Sequence, residues 1–545
     1  MLTNSNKSPS SHDSHTPYWI LLCVIIIVAL IRVRLLGFPL ERDEGEYAYC
    51  GQLILQLIPP FKAAYSMKLP GTGFAYSVLM LLFGQTIEGI HLGLLIINCL
   101  SIILLFLIAK KLLNPEAALI ASSIFAVFSL SPTVLGFAAH ATHFIILFAL
   151  GGTLLLLLCL KNGRLILFLG SGFLFGLAFL MKQHGFFFIL FGGYLILQAG
   201  LSSKPVSLKF LVLRLLIFSG GAIIPLILAL AVAWLSGSLD KFWFWIIKYP
   251  SNYASLVPLS EAFNIFINSF LGVVQGFELL WLMAIIGLPA LFLDKRFMDV
   301  RWFILAFTLF SFLAVCPGFY FREHYFIVFL PAAGLLIGIA INSLQHYLSH
   351  KFSNKFLQYF PILFLLSAVA LGINAHKNYF LLEKPAVLCR AIYGANPFIE
   401  SIKIGDFIKS KSNHDDKIAV LGSEPEILFY SHRKSATGYI YTYGLMETHG
   451  YQLTMQREMI KEIELAAPKY LVFIKIVTSW LVQPESEKLI FNWFYSYAQR
   501  YYELAGVIDI ISPQETRYIW GDEAKTYKNK SPSFILIFER RQFQN

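Results

Sequence analysis

Arg42-Asp43-Glu44-Gly45-Glu46-Tyr47-Ala48-Tyr49 sets three carboxylates and two tyrosines just beyond the first long apolar segment, Tyr18 to Leu36. A carboxylate placed there can take a proton from an attacking hydroxyl or amine, and Asp43 and Glu44 together can hold a divalent ion. Further along, Met67-Lys68-Leu69-Pro70-Gly71 puts one lysine ahead of a turn. Its ammonium is a compact donor suited to a phosphate oxygen. Arg322-Glu323-His324-Tyr325-Phe326 offers a guanidinium for phosphate and an imidazole beside it, and Lys182-Gln183-His184 offers similar donors. Trp243, Trp245, Tyr249 and Tyr253, with Lys241 and Lys248, form an aromatic stretch able to lie on a membrane or close over a ligand.

Each group also has a plainer structural reading. Asp43 with Glu46 three residues on has the spacing of a capping box, which predicts Asp43 as the N-cap of a helix lying in the membrane interface. The two readings are compatible, because a carboxylate at a helix start stays ionised and able to accept a hydrogen bond from a nucleophile. Lys68 reads equally as an interfacial lysine whose stem snorkels along apolar surface. Arg322 and Glu323 read as a surface pair, and Lys182 and the aromatic stretch as interfacial anchors.

The elements that must hold these residues are mostly membrane helices. The chain is 545 residues long, 57% hydrophobic and only 14% charged. A soluble domain carries roughly 45–50% apolar and about 25% charged residues. Apolar blocks fall at Tyr18–Leu36, Ile90–Ala109, Pro115–Leu130, Thr142–Leu160, Leu165–Met181, Phe186–Leu201 and Phe210–Leu235. Others follow at Phe270–Leu293, Trp302–Val315, Tyr325–Ile341 and Phe356–Ile373, about eleven expected spans. Lys110/Lys111, Lys161/Arg164, Lys204/Lys209, Lys295/Arg296/Arg301 and Lys351/Lys355 all fall on one side of this alternation, which the positive-inside rule makes cytoplasmic. The rule places the polar tail 1–17 inside, and the Asp43 loop, the 236–264 and 317–324 loops and all that follows residue 374 outside. Arg32, Arg34 and Arg42, against Lys7 alone before the first segment, run counter to it. The formal charge of +11 comes in short clusters between apolar runs, with no basic stripe that would suit nucleic acid.

From about residue 375 strand-length and helical segments alternate, which predicts an α/β layer domain over 375–545. Lys417–Gly422, Tyr470–Ile474 and Ser533–Phe538 read as strands, Met455–Ala467 and Glu485–Leu504 as helices. No phosphate-binding glycine loop is present. The six cysteines show no metal-ligand spacing, although Cys50, Cys316 and Cys389 all fall in stretches expected outside, where a disulfide can form.

Asp43 to Tyr49, then Gln52-Leu53-Ile54-Leu55-Gln56, Pro59-Pro60 and Met67 to Gly71, resembles the first outer loop of bacterial GT-C glycosyltransferases of the protein-mannosyltransferase-like and aminoarabinose-transferase-like superfamily (glycosyltransferase family 39-like). Arg322 to Phe326 with Pro331 resembles a recurring outer-side motif there. Gly422 to Glu426 through Ser435 to Tyr441 is similar to the tails of its members. The resemblance implies a mainly α, polytopic membrane protein of the GT-C fold, with spans over 18–374, a catalytic first outer loop over 37–88 and an extracytoplasmic α/β domain. It implies an inverting transfer of a sugar from a polyprenyl-phosphate carrier to a protein, lipid or glycan at the outer face of the cell membrane, with no cofactor required. Asp43 maps onto the acidic residue at the reaction centre, with Glu44 the adjacent candidate and Glu46, Tyr47 and Tyr325 as further substrate contacts. Lys68, Arg322, His324 and Lys182 are then the expected contacts to the carrier phosphate. Many members read Lys-Pro-Pro where this chain has Lys68-Leu69-Pro70. A transporter or flippase of a lipid-linked glycan is the competing class, but transporters carry ionisable residues near the bilayer midplane, whereas here charges collect at the outer ends of the segments.

Overall fold

The computed structural model describes residues 15–203, 205–253 and 257–541. Residues 1–14 of the polar tail, Lys204 and the Tyr253 side chain lie outside the described residues. The apolar blocks fold as helices: α1 (Thr16–Arg34), α4 (Ile87–Leu112), α5 (Pro115–Leu130), α6 (Ala141–Asn162), α7 (Leu165–Met181), α8 (Phe186–Ser202) and α9 (Leu208–Leu235). The expected loop 37–88 is itself mostly helical, with α2 (Arg42–Leu55) and α3 (Gly71–Phe83). Past short helical stretches at Leu239–Trp243, Phe244–Lys248 and Tyr249–Tyr253 come helices Leu259–Val274, Glu278–Leu293, Arg301–Leu313, Leu330–Lys351 and Lys355–Ala375.

Among the described residues six helices are long and apolar enough to cross a membrane, or seven when one bent pair counts as a span. The eleven expected segments all fall on helices, but Pro115–Leu130, Leu165–Met181 and Arg301–Leu313 are shorter apolar helices. Tyr325–Ile341 divides into a 3₁₀ stretch, Glu323–Val328, and a following α-helix. Phe270–Leu293 is broken: Leu259–Val274 and Glu278–Leu293 meet at 116°. Gly276 makes the corner, with φ +79 and its N–H donating to Glu278 Oε1 at 2.8 Å. The three arginines that ran against the charge rule are bound within the protein. Arg32 donates to Asn98 Oδ1 and to the carbonyls of Gly136 and Ser129, Arg34 donates to Glu383 O, and Arg42 pairs with Glu424.

The C-terminal part forms a six-stranded mixed sheet ordered β2-β1-β3-β6-β4-β5. β1 (Lys417–Leu421) runs parallel to β2 (Lys434–Ser435) and β3 (Tyr470–Lys475), while β6 (Phe534–Arg540) pairs antiparallel with β3 and β4 (Tyr502–Ile510), and β5 (Thr516–Trp520) closes the far edge. The expected helix 485–504 is shorter, Leu489–Tyr501, because the chain turns extended at Tyr502 and Tyr502–Asp509 pairs along β6. All six cysteines are free thiols.

Glycine lets two helices that support the functional face come together. On α7, a Cβ on Gly172 would lie 1.9 Å from Phe218 O, and one on Gly176 would lie 2.2 Å from Ala222 O, both on α9. Gly221 of α9 sits as tightly on Leu169. Small residues four apart allow this backbone approach in a setting where packing, not hydrophobicity, drives helix association. Replacing Gly176 by leucine should force α7 away from α9 and destabilise the protein by about 1–3 kcal/mol. A lowered melting temperature in detergent checks this, and an unchanged one would contradict the packing.

Candidate functional site

The N-terminus of α2 is set two residues earlier than the Asp43–Glu46 spacing predicts. Glu41 is the N-cap, its Oε1 accepting from Glu44 N–H at 2.9 Å, while Glu44 Oε2 accepts from Glu41 N–H at 3.4 Å. Asp43 is therefore inside the first helical turn, its side chain freed from capping. Glu44 turns inward. It is fully buried, and its Oε1 accepts from Ala139 N–H at 2.6 Å and lies 3.0 Å from His91 Nε2. Tyr76 holds the next peptide along, donating to Ala139 O at 2.8 Å. Glu44 thus fixes the backbone next to His140, and it takes no part in lining the cavity that Asp43 faces.

Lys68 reaches back to α2 from the 56–70 loop. Its ammonium donates to Asp43 Oδ1 at 2.8 Å and to Glu46 Oε2 at 2.6 Å, and it sits 4.6 Å above the Tyr47 ring. Burial alone would raise Asp43, but Lys68, then Lys182 and His140, hold its carboxyl well below the usual carboxylate range. Burial likewise works to lower Lys68, and Asp43 and Glu46 outweigh it, so the ammonium is held well above its ordinary value.

These three charges open on a cavity of about 280 Å³. Lys182, Arg322, His324 and Tyr325 line it, together with Tyr441, Tyr443 and Glu447 from the segment after β2. Of the residues expected from sequence, Asp43, Glu46, Lys68, Lys182, Arg322, His324 and Tyr325 meet here. Glu44 does not, and Tyr47 lies beneath Lys68, lining a neighbouring apolar slot. Lys182 follows the last residue of α7 and places its ammonium 4.1 Å over the Tyr325 ring. Burial lowers it to about 7, Lys68 and Arg322 pushing the same way and Asp43 and Glu46 opposing.

His140, the N-cap of α6, is a member that sequence reasoning missed. Its ring stacks on His324 at 4.1 Å, and burial lowers it to about 4. Burial also takes His324 well below its ordinary value. Both ring nitrogens of His140 and Nε2 of His324 are buried without hydrogen-bond partners; Glu41 Oε1 lies 3.7 Å from His140 Nδ1, beyond hydrogen-bond reach. Asp43, His140 and His324 offer ligand atoms all within 4.8 Å of one another. This is the set that fits a divalent ion, not Asp43 with Glu44. The signal available in sequence was His140 and His143 standing in an otherwise apolar run.

Residues 68–224 match the family model described as dolichyl-phosphate-mannose-protein mannosyltransferase. No curated protein matches the chain. Among solved structures it is similar to ArnT from Cupriavidus metallidurans bound to undecaprenyl phosphate, with TM-score 0.58 and 14% identity over 96% of this chain and 98% of that one. It is also similar to the archaeal oligosaccharyltransferase AglB from Archaeoglobus fulgidus, in complex with an inhibitory peptide and a dolichol-phosphate. There the TM-score is 0.54 and the identity 14%, over 93% of this chain and 75% of that one. The chain has the GT-C fold of these structures. In this GT-C chain the ion cluster and its cavity lie where α2, the end of α7 and the C-terminal segment converge.

A site with Lys182 near neutrality should bind a phosphodiester less well as pH rises. The ligand keeps its single charge across the range, while the charged fraction of a group titrating near 7 falls on the order of tenfold between pH 6 and 8. Affinity for a singly charged phosphodiester should fall by about that factor. Lys182→Arg should flatten the profile at high affinity and Lys182→Met at low affinity. Binding titrations at both pH values check the sign.

Proposed function

We propose that this chain transfers a glycosyl group from a polyprenyl-phosphate carrier to an acceptor at the outer membrane face. The observation that carries this reading is one half-buried carboxylate, Asp43, sharing a cavity with three cations, Lys68, Lys182 and Arg322. Asp43 accepts the proton of the acceptor hydroxyl or amine as it attacks the anomeric carbon. The carrier phosphate leaves from the opposite face, which inverts that carbon. The three cations stabilise the charge that develops on the phosphate, from a diester with one charge toward a monoester with nearly two. Glu44 acts as a positioning residue through Ala139 and His140.

The Asp43–Lys68 pair also couples binding to chemistry. Alone with Lys68, Asp43 is a weak base. A phosphate entering beside Lys68 competes for its ammonium, so donor binding raises the proton affinity of Asp43 at the moment a base is needed. The scheme requires no cofactor. Asp43, His140 and His324 are the residues that would hold a divalent cation, and such an ion would supply positive charge beside the reaction centre.

The outer placement rests on the ends of the helices. α7 starts after Arg164 and finishes at the cavity beside Lys182, so its basic start points the other way. The clusters Lys110/Lys111, Lys161 and Lys351 likewise end their helices. By the positive-inside rule that side is cytoplasmic and the cavity, with the C-terminal sheet, is outside.

Asp43→Asn should keep the fold and lower transfer from polyprenyl-phosphate sugars by about 10²–10⁴-fold, the range for a general base. Wild-type turnover in this variant would remove Asp43 from the base role. Glu44→Gln, by contrast, should leave a measurable rate, since its carboxylate faces away from the cavity.

A further inference from the structure

The helix bundle has a second opening, at the end away from the ion cluster. His91, near the start of α4, bonds Glu44, and Lys110 lies nineteen residues further along that helix, about 28 Å away at 1.5 Å per residue. Around Lys110 a groove of about 670 Å³ lies between α1, the α4–α5 turn and the helices Leu330–Lys351 and Lys355–Ala375. Ile20, Phe106, Leu119 and Ile362 make its apolar wall. A polar chamber of about 210 Å³ adjoins it, and Asn114, Glu116, Gln345 and Tyr359 line both. Of the six long apolar helices among the described residues, α1 and Lys355–Ala375 are the least buried, so the groove they flank faces lipid.

The polar groups here are only partly spent. Asn114 donates to Asn342 Oδ1 at 3.1 Å, and Arg296 is held by Asp294 and by the Asn342 carbonyl, so that pair of charges cancels. Lys110 donates to the Tyr18 hydroxyl and sits 4.8 Å over the Tyr18 ring, with no carboxylate against it. Glu116 stands in the first turn of α5, where the helix dipole favours a negative charge, and has no ion-pair partner among the described residues. Nor does the Gln345 amide or the Tyr359 hydroxyl make a hydrogen bond among the described residues. The groove therefore presents one lone cation, one lone carboxylate and two unused polar groups above an apolar wall.

We propose that groove and chamber together form a phospholipid site selective for phosphatidylethanolamine, its acyl chain on the Ile20–Ile362 wall, its phosphate beside Lys110 and its ammonium on Glu116, Gln345 and Tyr359. That headgroup carries one phosphodiester charge and a primary ammonium with three N–H donors, which matches the unspent groups in sign and in number. A choline headgroup has the same charges but no N–H, and a glycerol headgroup brings no cation for Glu116. A site built to pair an N–H discriminates against analogues that lack it. By the positive-inside rule this end is cytoplasmic, so the site draws on the inner leaflet and stands apart from any outer-face substrate. It does not depend on the glycosyl-transfer reading. The lipid bridges α1 to Lys355–Ala375, the two long helices that the protein itself grips least.

The test uses the full chain, delipidated in detergent and returned to mixed micelles holding equal amounts of phosphatidylethanolamine, phosphatidylcholine and phosphatidylglycerol with the same acyl chains. Native mass spectrometry reads which lipids stay bound. The wild type should retain phosphatidylethanolamine about fivefold or more over either competitor, the worth of at least one net hydrogen bond. Glu116→Gln should erase the preference. Ile20→Trp, which fills the groove from an exposed position on α1, should lower retention of phosphatidylethanolamine itself. That lipid should also raise the melting temperature of the wild type but not of Glu116→Gln, which separates this site from lipid bound at random around the bundle. Should Glu116→Gln fail to fold, Tyr359→Phe at an exposed position carries the same comparison and should reduce the preference. Equal retention of the three lipids by the wild type, or a preference that survives these substitutions, overturns the site. A preference for phosphatidylglycerol overturns it too, since nothing in that headgroup pairs with Glu116.

Discussion

An ammonium held between two carboxylates is the interaction on which the working end of this molecule depends. Lys68 satisfies Asp43 and Glu46 together, and none of the three is well exposed. Charges taken out of water persist only when paired and hydrogen-bonded; removing one partner from a buried pair costs roughly 3–5 kcal/mol. The 56–70 loop must therefore fold back on α2. Two carboxylates against one ammonium leave an excess of negative charge, which Lys182 and Arg322 face across the cavity.

The pairing works only because α2 is held from all sides. Arg42 donates to Glu424, Ser423 O, Tyr443 and Asn396, tying the first turn of α2 to the C-terminal part. Gly45 permits that approach: a Cβ there would lie 2.6 Å from Glu426 N. Further along the helix, Tyr49 OH accepts from Ser435 N–H and Gln52 donates to Phe429 O. A helix so gripped keeps its first turn fixed, and with it the direction of Asp43. Such support is what a site needs if its groups are to be set before a ligand arrives.

The sequence made some of this legible and hid the rest for a physical reason. Charges in an apolar chain are rare enough that Asp43, Glu46, Lys68, Lys182 and Arg322 stand out by type alone, and the long helices and three of the six strands follow from periodicity. Spacing could not say which acid caps α2, since Glu41 to Glu44 and Asp43 to Glu46 are equally good capping intervals. The Arg42–Glu424 contact settles where the helix begins, and its partners are 382 residues apart. His140 was missed because a histidine in an apolar run reads as core until a second ring is found stacked on it. The 116° corner at Gly276 was likewise invisible to hydropathy, which sums across a break without sensing it. What was hidden depends on partners distant in sequence.

The distribution of polarity also separates chemistry at a rim from passage across a bilayer. A transport path needs polar groups through its depth, with partners that can be exchanged. Here the cavity is lined by residues in loops, at helix ends and in the short turn around Trp245, and by none from the middle of a long apolar helix. Arg32, the charge set into α1, is committed to three protein acceptors at 3.1 Å each and has no role to spare as a relay. The polar pocket lined by Asn114, Arg296 and Asn342 belongs to other helix ends, and α5 runs apolar from Asn114 toward Ser131. Charge gathered at one end of an apolar bundle, under a C-terminal sheet, can hold a headgroup while its lipid chain stays in the membrane. That arrangement favours a reaction on a membrane-anchored substrate over movement of that substrate from one side to the other.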